Sequence, residues 1–103
     1  MRTWIVVYDV QVETDLELFF KAGDITKDDV KILKRWVDEI ETYGPDYIQK
    51  KKFWGDHALD GEWRGFRSTC FSFSGRIIYR IVDEKVEVRV VRITPDHNYE
   101  KKD

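Results

Sequence analysis

Between His57 and Arg80 the chain reads HALDGEWRGFRSTCFSFSGRIIYR, and this stretch constrains the fold more than any other. Its last part, Arg76-Ile-Ile-Tyr-Arg80, alternates arginine with β-branched and aromatic residues. Successive side chains of a strand point to opposite faces, so such a run describes a pleated strand with two different sides. One side can be core. The other can be a cationic platform for an anionic ligand such as RNA phosphate.

Side-chain parity then sets the pairings. A two-residue turn at Asp83-Glu84 places Arg80 opposite Glu87. Ile77, Tyr79, Ile81, Val86, Val88 and Val90 share the core face, and Arg76, Ile78, Arg80, Glu87, Arg89 and Val91 the other. For the preceding strand, roughly Phe66 to Phe73, an even-numbered loop would drive Ser68, Cys70 and Ser72 into the core at a desolvation cost. A three-residue loop, Phe73-Ser74-Gly75 with Gly75 left-handed, instead sets Phe71 beside Ile77 and leaves the three small residues on the arginine face.

The first half reads as strand and helices. Thr3 to Val12 is rich in β-branched and aromatic residues and is expected as a strand. Thr14-Asp-Leu-Glu17 fits a capping box that opens a short helix, with Gly23 as its stop. Thr26 caps a longer helix, with Asp28 and Asp29 in its first turn. Val30, Leu33, Trp36, Val37, Ile40 and Tyr43 form its apolar stripe, so Trp36 and Tyr43 read as core, and Gly44-Pro45 ends it. Asp46 to Trp54 is expected as a linker carrying Lys50, Lys51 and Lys52, and Trp54 and Trp63 are expected to pack on the second helix. The sum is an α+β fold, βαα followed by a three-stranded antiparallel β-meander, with one sheet packed on two helices.

With 103 residues the chain is expected to form a single domain over 1–103. Its single cysteine, Cys70, cannot make an intramolecular disulfide, so a reducing cytoplasm is the expected compartment. No zinc-type ligand spacing occurs, and neither a metal nor a cofactor is expected. The apolar run Trp4 to Tyr8 is too short to span a bilayer. Net charge is −2, but it is unevenly spread: residues 1–49 carry −5 and residues 50–92 carry +4. Local potential, rather than net charge, steers a ligand.

Taken together, Asp56-His-Ala-Leu-Asp-Gly-Glu-Trp-Arg-Gly-Phe-Arg67, Gly75-Arg-Ile-Ile-Tyr-Arg80, Val90-Val-Arg92 and His97-Asn-Tyr99 resemble the RelE/ParE superfamily of type II toxins, the first segment its YafQ-like branch. The motifs cover about the last half of the chain. The resemblance implies a ribosome-dependent mRNA endoribonuclease that inhibits translation. It implies as partners a cognate antitoxin, the ribosome and mRNA, with operator DNA reached only through the antitoxin. His57 matches the histidine of the D-H-x-L-x-G motif, Arg76 the arginine of the strand motif, and His97 and Tyr99 the H-x-Y-type ending. In two respects the chain departs from the pattern. Cys70 stands where YafQ-like toxins tend to carry a second histidine, and the chain is acidic where active members are usually basic. The alternative within the same fold is a ParE-like non-nucleolytic toxin that binds DNA gyrase, or a member without catalytic activity.

Metal-independent RNA cleavage by the ribose 2′-OH needs a base, an acid, and cations on the developing phosphorane. Arg76 and Arg80 suit the cationic role, since a guanidinium stays charged and forks onto phosphate oxygens. His97 or His57 suits proton transfer, and Tyr99 can stack on a base or donate a proton. Arg76, His97, Tyr99 and His57 are therefore the catalytic candidates. Arg67, Arg80, Arg89, Lys50, Lys51 and Lys52 are the RNA-binding ones.

Overall fold

The longest helix is built as its periodicity requires. α2, Lys27–Tyr43, buries Leu33, Trp36 and Ile40 on one stripe. Its start is a reciprocal cap: the Thr26 hydroxyl accepts from the Asp29 N–H at 3.1 Å, and the Thr26 N–H donates to the Asp29 carboxylate at 2.9 Å. A computed structural model describes the backbone of residues 4–83 and 87–95, and the side chains of these except 83 and 87–91.

The first strand is shorter than the sequence implies, and the helix after it begins earlier. β1 is only Ile5–Tyr8, and α1 runs Val10–Ala22 from an N-cap at Asp9. Thr14 therefore lies inside the helix and caps nothing. The reason is packing: Val12, Leu16 and Phe19 stand at helical spacing, and burying Val12 extends the helical stripe back past the threonine. Gly23 ends α1 in the left-handed conformation (φ 83°), its N–H bonded to the Phe20 carbonyl.

Tyr43 is not core. It stands on the last turn of α2, 61% exposed, with its ring 4.5 Å from that of Tyr47. The segment expected as a linker is ordered: α3, Pro45–Lys50, and a 3-10 turn, Lys52–Trp54, bury Ile48 and Trp54. Proline at the first helical position costs no hydrogen bond, so Gly44-Pro45 ends one helix and starts another.

β2 (His57–Ala58), β3 (Arg67–Cys70), β4 (Arg76–Asp83) and β5 (Glu87–Thr94) complete a five-stranded sheet of order β1-β5-β4-β3-β2. The meander β3-β4-β5 is antiparallel as expected, and β1 joins it parallel to β5. The three helices bury their apolar stripes against one face, where Phe71, Ile77, Tyr79 and Ile93 meet Val12, Trp36, Ile40 and Trp54. The α+β arrangement therefore matches the reading of the sequence.

The registers differ from that reading. Cys70 pairs with Arg76, so the loop is Phe71–Gly75, two residues longer than expected, and the parity of the faces is kept. Gly75 is not left-handed. Glycine is needed there because a Cβ would lie 2.5 Å from Phe71 Cζ and 2.6 Å from Ser72 Oγ. At the next turn Asp83, not Arg80, pairs with Glu87, and Arg80 stands opposite Arg89. A bulge then follows: Tyr79 pairs with Val90 but Ile78 with Arg92, leaving Val91 unpaired. That extra residue turns Ile93 into the core and carries Arg92 to the opposite face.

Candidate RNA-binding face and its geometry

The sheet face away from the helices is assembled from four strands. Residues directly opposite one another share a face, so His57, Ser68, Ile78 and Arg92 form one row and Cys70, Arg76 and Thr94 the next. Arg80, two residues from Ile78, lies on the same side. His57 and Arg92 stand three strand spacings apart, roughly 14 Å, and the diagonal from His57 to Arg76 is roughly 12 Å.

The middle of this face is covered. The segment between β2 and β3 folds back, with the Leu59 N–H donating to the Phe66 carbonyl at 3.0 Å. Trp63 and Phe66 then bury Ile78 beneath an edge-to-face pair with centroids 5.3 Å apart. Trp63 thus packs on the sheet face opposite to α2, contrary to expectation, whereas Trp54 does join the α2 core. The two rings carry cations: Arg92 lies 5.1 Å from the Trp63 centroid and Arg80 5.6 Å from that of Phe66. Aromatic faces restrain the long arginine stems while leaving the groups charged.

Below this face lies a buried clamp. The Asp56 carboxylate accepts from Arg67 Nε at 2.6 Å and from the Tyr79 hydroxyl at 2.6 Å, and its side chain is 0% exposed. Burial, then the Asp56 charge, pushes the Tyr79 phenol far above its ordinary range, and the Arg67 guanidinium is raised despite its burial because Asp56 bonds it. Arg67 is therefore held on the core side of the sheet by Asp56. Its neighbour His57 points the other way and is exposed. The Gly55 carbonyl lies 3.2 Å from His57 Nδ1, and a carbonyl only accepts, so Nδ1 carries the proton and Nε2 is the basic nitrogen.

Arg76 donates through Nη1 to the carbonyls of Gly75 (2.9 Å) and Phe73 (3.4 Å), tying the guanidinium to the loop beside the face. Ser74 fixes the same loop to the chain leaving β5, its hydroxyl donating to the Pro95 carbonyl at 2.9 Å. His97 and Tyr99 follow and lie outside the described residues; Arg89 is described in backbone only. Lys50, Lys51 and Lys52 are exposed on α3 and the following turn. The structure thus puts His57, Arg76 and Arg80 on one sheet face, around the aromatic cover, and adds Arg92. Arg92 is not among the sequence candidates, and it reaches this face only through the bulge at Val91. Among the described residues no cluster of His, Cys, Asp and Glu could hold a metal, and no helix is long and apolar enough to cross a membrane.

No protein-family model and no curated protein matches the chain by sequence. Solved structures do. The Escherichia coli DinJ–YafQ toxin–antitoxin complex contains a chain 21% identical, superposing with a TM-score of 0.71 over 97% of this chain and 99% of that one. YafQ from E. coli strain BL21(DE3) is 24% identical, with a TM-score of 0.66 over 85% and 88%. A chain of the YoeB–YefM complex from Staphylococcus aureus is 16% identical, with a TM-score of 0.65 over 91% and 95%. The protein has the fold of the RelE/ParE superfamily toxins.

Proposed function

We propose that this protein is the toxin of a type II toxin–antitoxin system and acts as a metal-independent, ribosome-dependent mRNA endoribonuclease. The observation that carries the reading is the placement of His57, Arg76, Arg80 and Arg92 on the sheet face away from the helices, around the Trp63–Phe66 cover, in a fold shared with YafQ and YoeB. Three guanidiniums on one face match a phosphate whose charge grows in the transition state. His57 Nε2 suits the base that takes the 2′-OH proton, and His97 or Tyr99 the acid at the leaving oxygen. Lys50, Lys51 and Lys52 supply salt-dependent attraction to RNA, with Arg89 as a further contact. The partner is a cognate antitoxin, since two of the similar chains were solved with one, DinJ and YefM.

Expression of the protein alone is expected to arrest growth and cut mRNA during translation, and co-expression of the antitoxin to restore growth. Vigorous growth with abundant folded protein contradicts the toxin reading. Growth arrest with intact mRNA and accumulating DNA breaks supports a ParE-like action on gyrase, the reading for which Cys70 and the acidic net charge leave room.

A further inference from the structure

The α2–α3 side of the molecule carries rings and cations that the arginine face does not use. Arg35 is fixed by donating from Nε to Glu39 at 2.7 Å, and Glu39 also accepts from Trp54 Nε1 at 3.0 Å. Held in this way, the Arg35 guanidinium lies 4.7 Å from the Phe53 centroid and 5.7 Å from that of Trp54. Trp54 is buried, but Phe53 is 56% exposed. One helix along, the open ring of Tyr43 meets Tyr47, and the Lys51 ammonium sits 5.0 Å from the Tyr47 centroid. Lys50 and Lys52 are exposed beside them.

Tyr43 and Phe53 both stay exposed on this side, so both rings are available to a partner. Tyr43 backs onto Tyr47 with Lys51, and Phe53 onto Arg35, and each leaves its outer side open. This arrangement suits a polymer offering flat apolar faces and regular negative charge. Unpaired nucleic acid is such a polymer: its bases stack on the rings and its phosphates meet the cations. A duplex hides its base faces, and an acidic peptide has no flat face for the rings.

We infer that Tyr43, Tyr47, Lys51, Phe53 and Arg35 form a docking strip for unpaired RNA. The strip leads to the arginine face. The Trp54 carbonyl, next to Phe53, accepts from the Thr69 hydroxyl at 3.0 Å, and Gly55 abuts Cys70, whose cross-strand partner is Arg76. RNA lying on the strip and crossing Gly55 arrives at Arg76. The inference rests on the nuclease reading only for the identity of the RNA that is cut.

The test measures fluorescence anisotropy of the purified full chain with short labelled RNAs whose riboses are 2′-O-methylated. Such RNA cannot be cleaved by 2′-OH attack, so binding is read whether or not the protein is a nuclease. Tyr43→Leu with Phe53→Leu is expected to weaken binding of single strands about tenfold with the salt dependence unchanged. Replacing Lys50, Lys51 and Lys52 by glutamine is expected to flatten the salt dependence. Purine strands should bind more tightly than uridine strands, and a duplex least. Circular dichroism establishes that the variants are folded. Equal affinity of the leucine variant, or a duplex bound as tightly as a single strand, overturns the strip. So does a leucine variant that keeps its RNA and loses only a protein partner.

Discussion

Asp56 shows how one side chain organises several strands. It precedes β2, bonds Arg67 on β3 and Tyr79 on β4, and so ties the edge carrying His57 to the sheet centre. Removing one partner of a buried pair strands the other. Asp56→Ala should lower stability by about 2–4 kcal/mol, somewhat below the full cost of a buried pair because Arg67 keeps a quarter of its exposure. Urea unfolding measures it, and a loss under about 1 kcal/mol would mean that Arg67 and Tyr79 find water or other partners readily. Gly75 is the second sensitive position. A methyl there collides with Phe71 and Ser72, so Gly75→Ala should cost about 1–3 kcal/mol through forced movement of the loop that Arg76 holds.

At the scale of elements, α2 and its attached turn are joined by Glu39. Burial alone would raise this carboxyl, but hydrogen bonds from Arg35 and Trp54 outweigh it and hold the group below the usual carboxylate range. A depressed folded value means stabilisation that is present above the unfolded value, about 4.3, and lost as pH falls through the folded one. Glu39→Gln should therefore be less stable than the parent at neutral pH, and the difference should shrink as pH drops below about 4. A gap that persists in acid would assign the effect to packing. Thr26→Ala should cost about 1 kcal/mol, the usual worth of a side-chain cap. The α2 start, its end at Gly44-Pro45 and the antiparallel meander were legible because each depends on local chemistry or strict periodicity. The bulge at Val91 was missed although the doubled Val90-Val91 between Arg89 and Arg92 interrupts the alternation there, and one unpaired residue reverses which face Arg92 occupies. Tyr43 and the α3 segment were misread because tertiary packing at a helix end decides burial there.

Over the whole molecule, the helices cover one sheet face and leave the other to a small aromatic cluster and its arginines. This division turns an acidic chain into one with a locally cationic surface, the property on which phosphate binding depends. The basic second half and the arginine alternation were plain in the sequence, whereas the union of His57, Arg76, Arg80 and Arg92 depends on pairings four strands wide. Under the proposed function this face stabilises a cleaving phosphate rather than merely docking RNA. The most direct test is single-turnover mRNA cleavage at saturating ribosomes by Arg76→Gln and Arg92→Gln, measured beside ribosome affinity. Cleavage should fall by about a hundredfold or more while affinity changes far less. Loss of ribosome binding with cleavage per bound complex intact would contradict the claim and make the arginine face a docking surface.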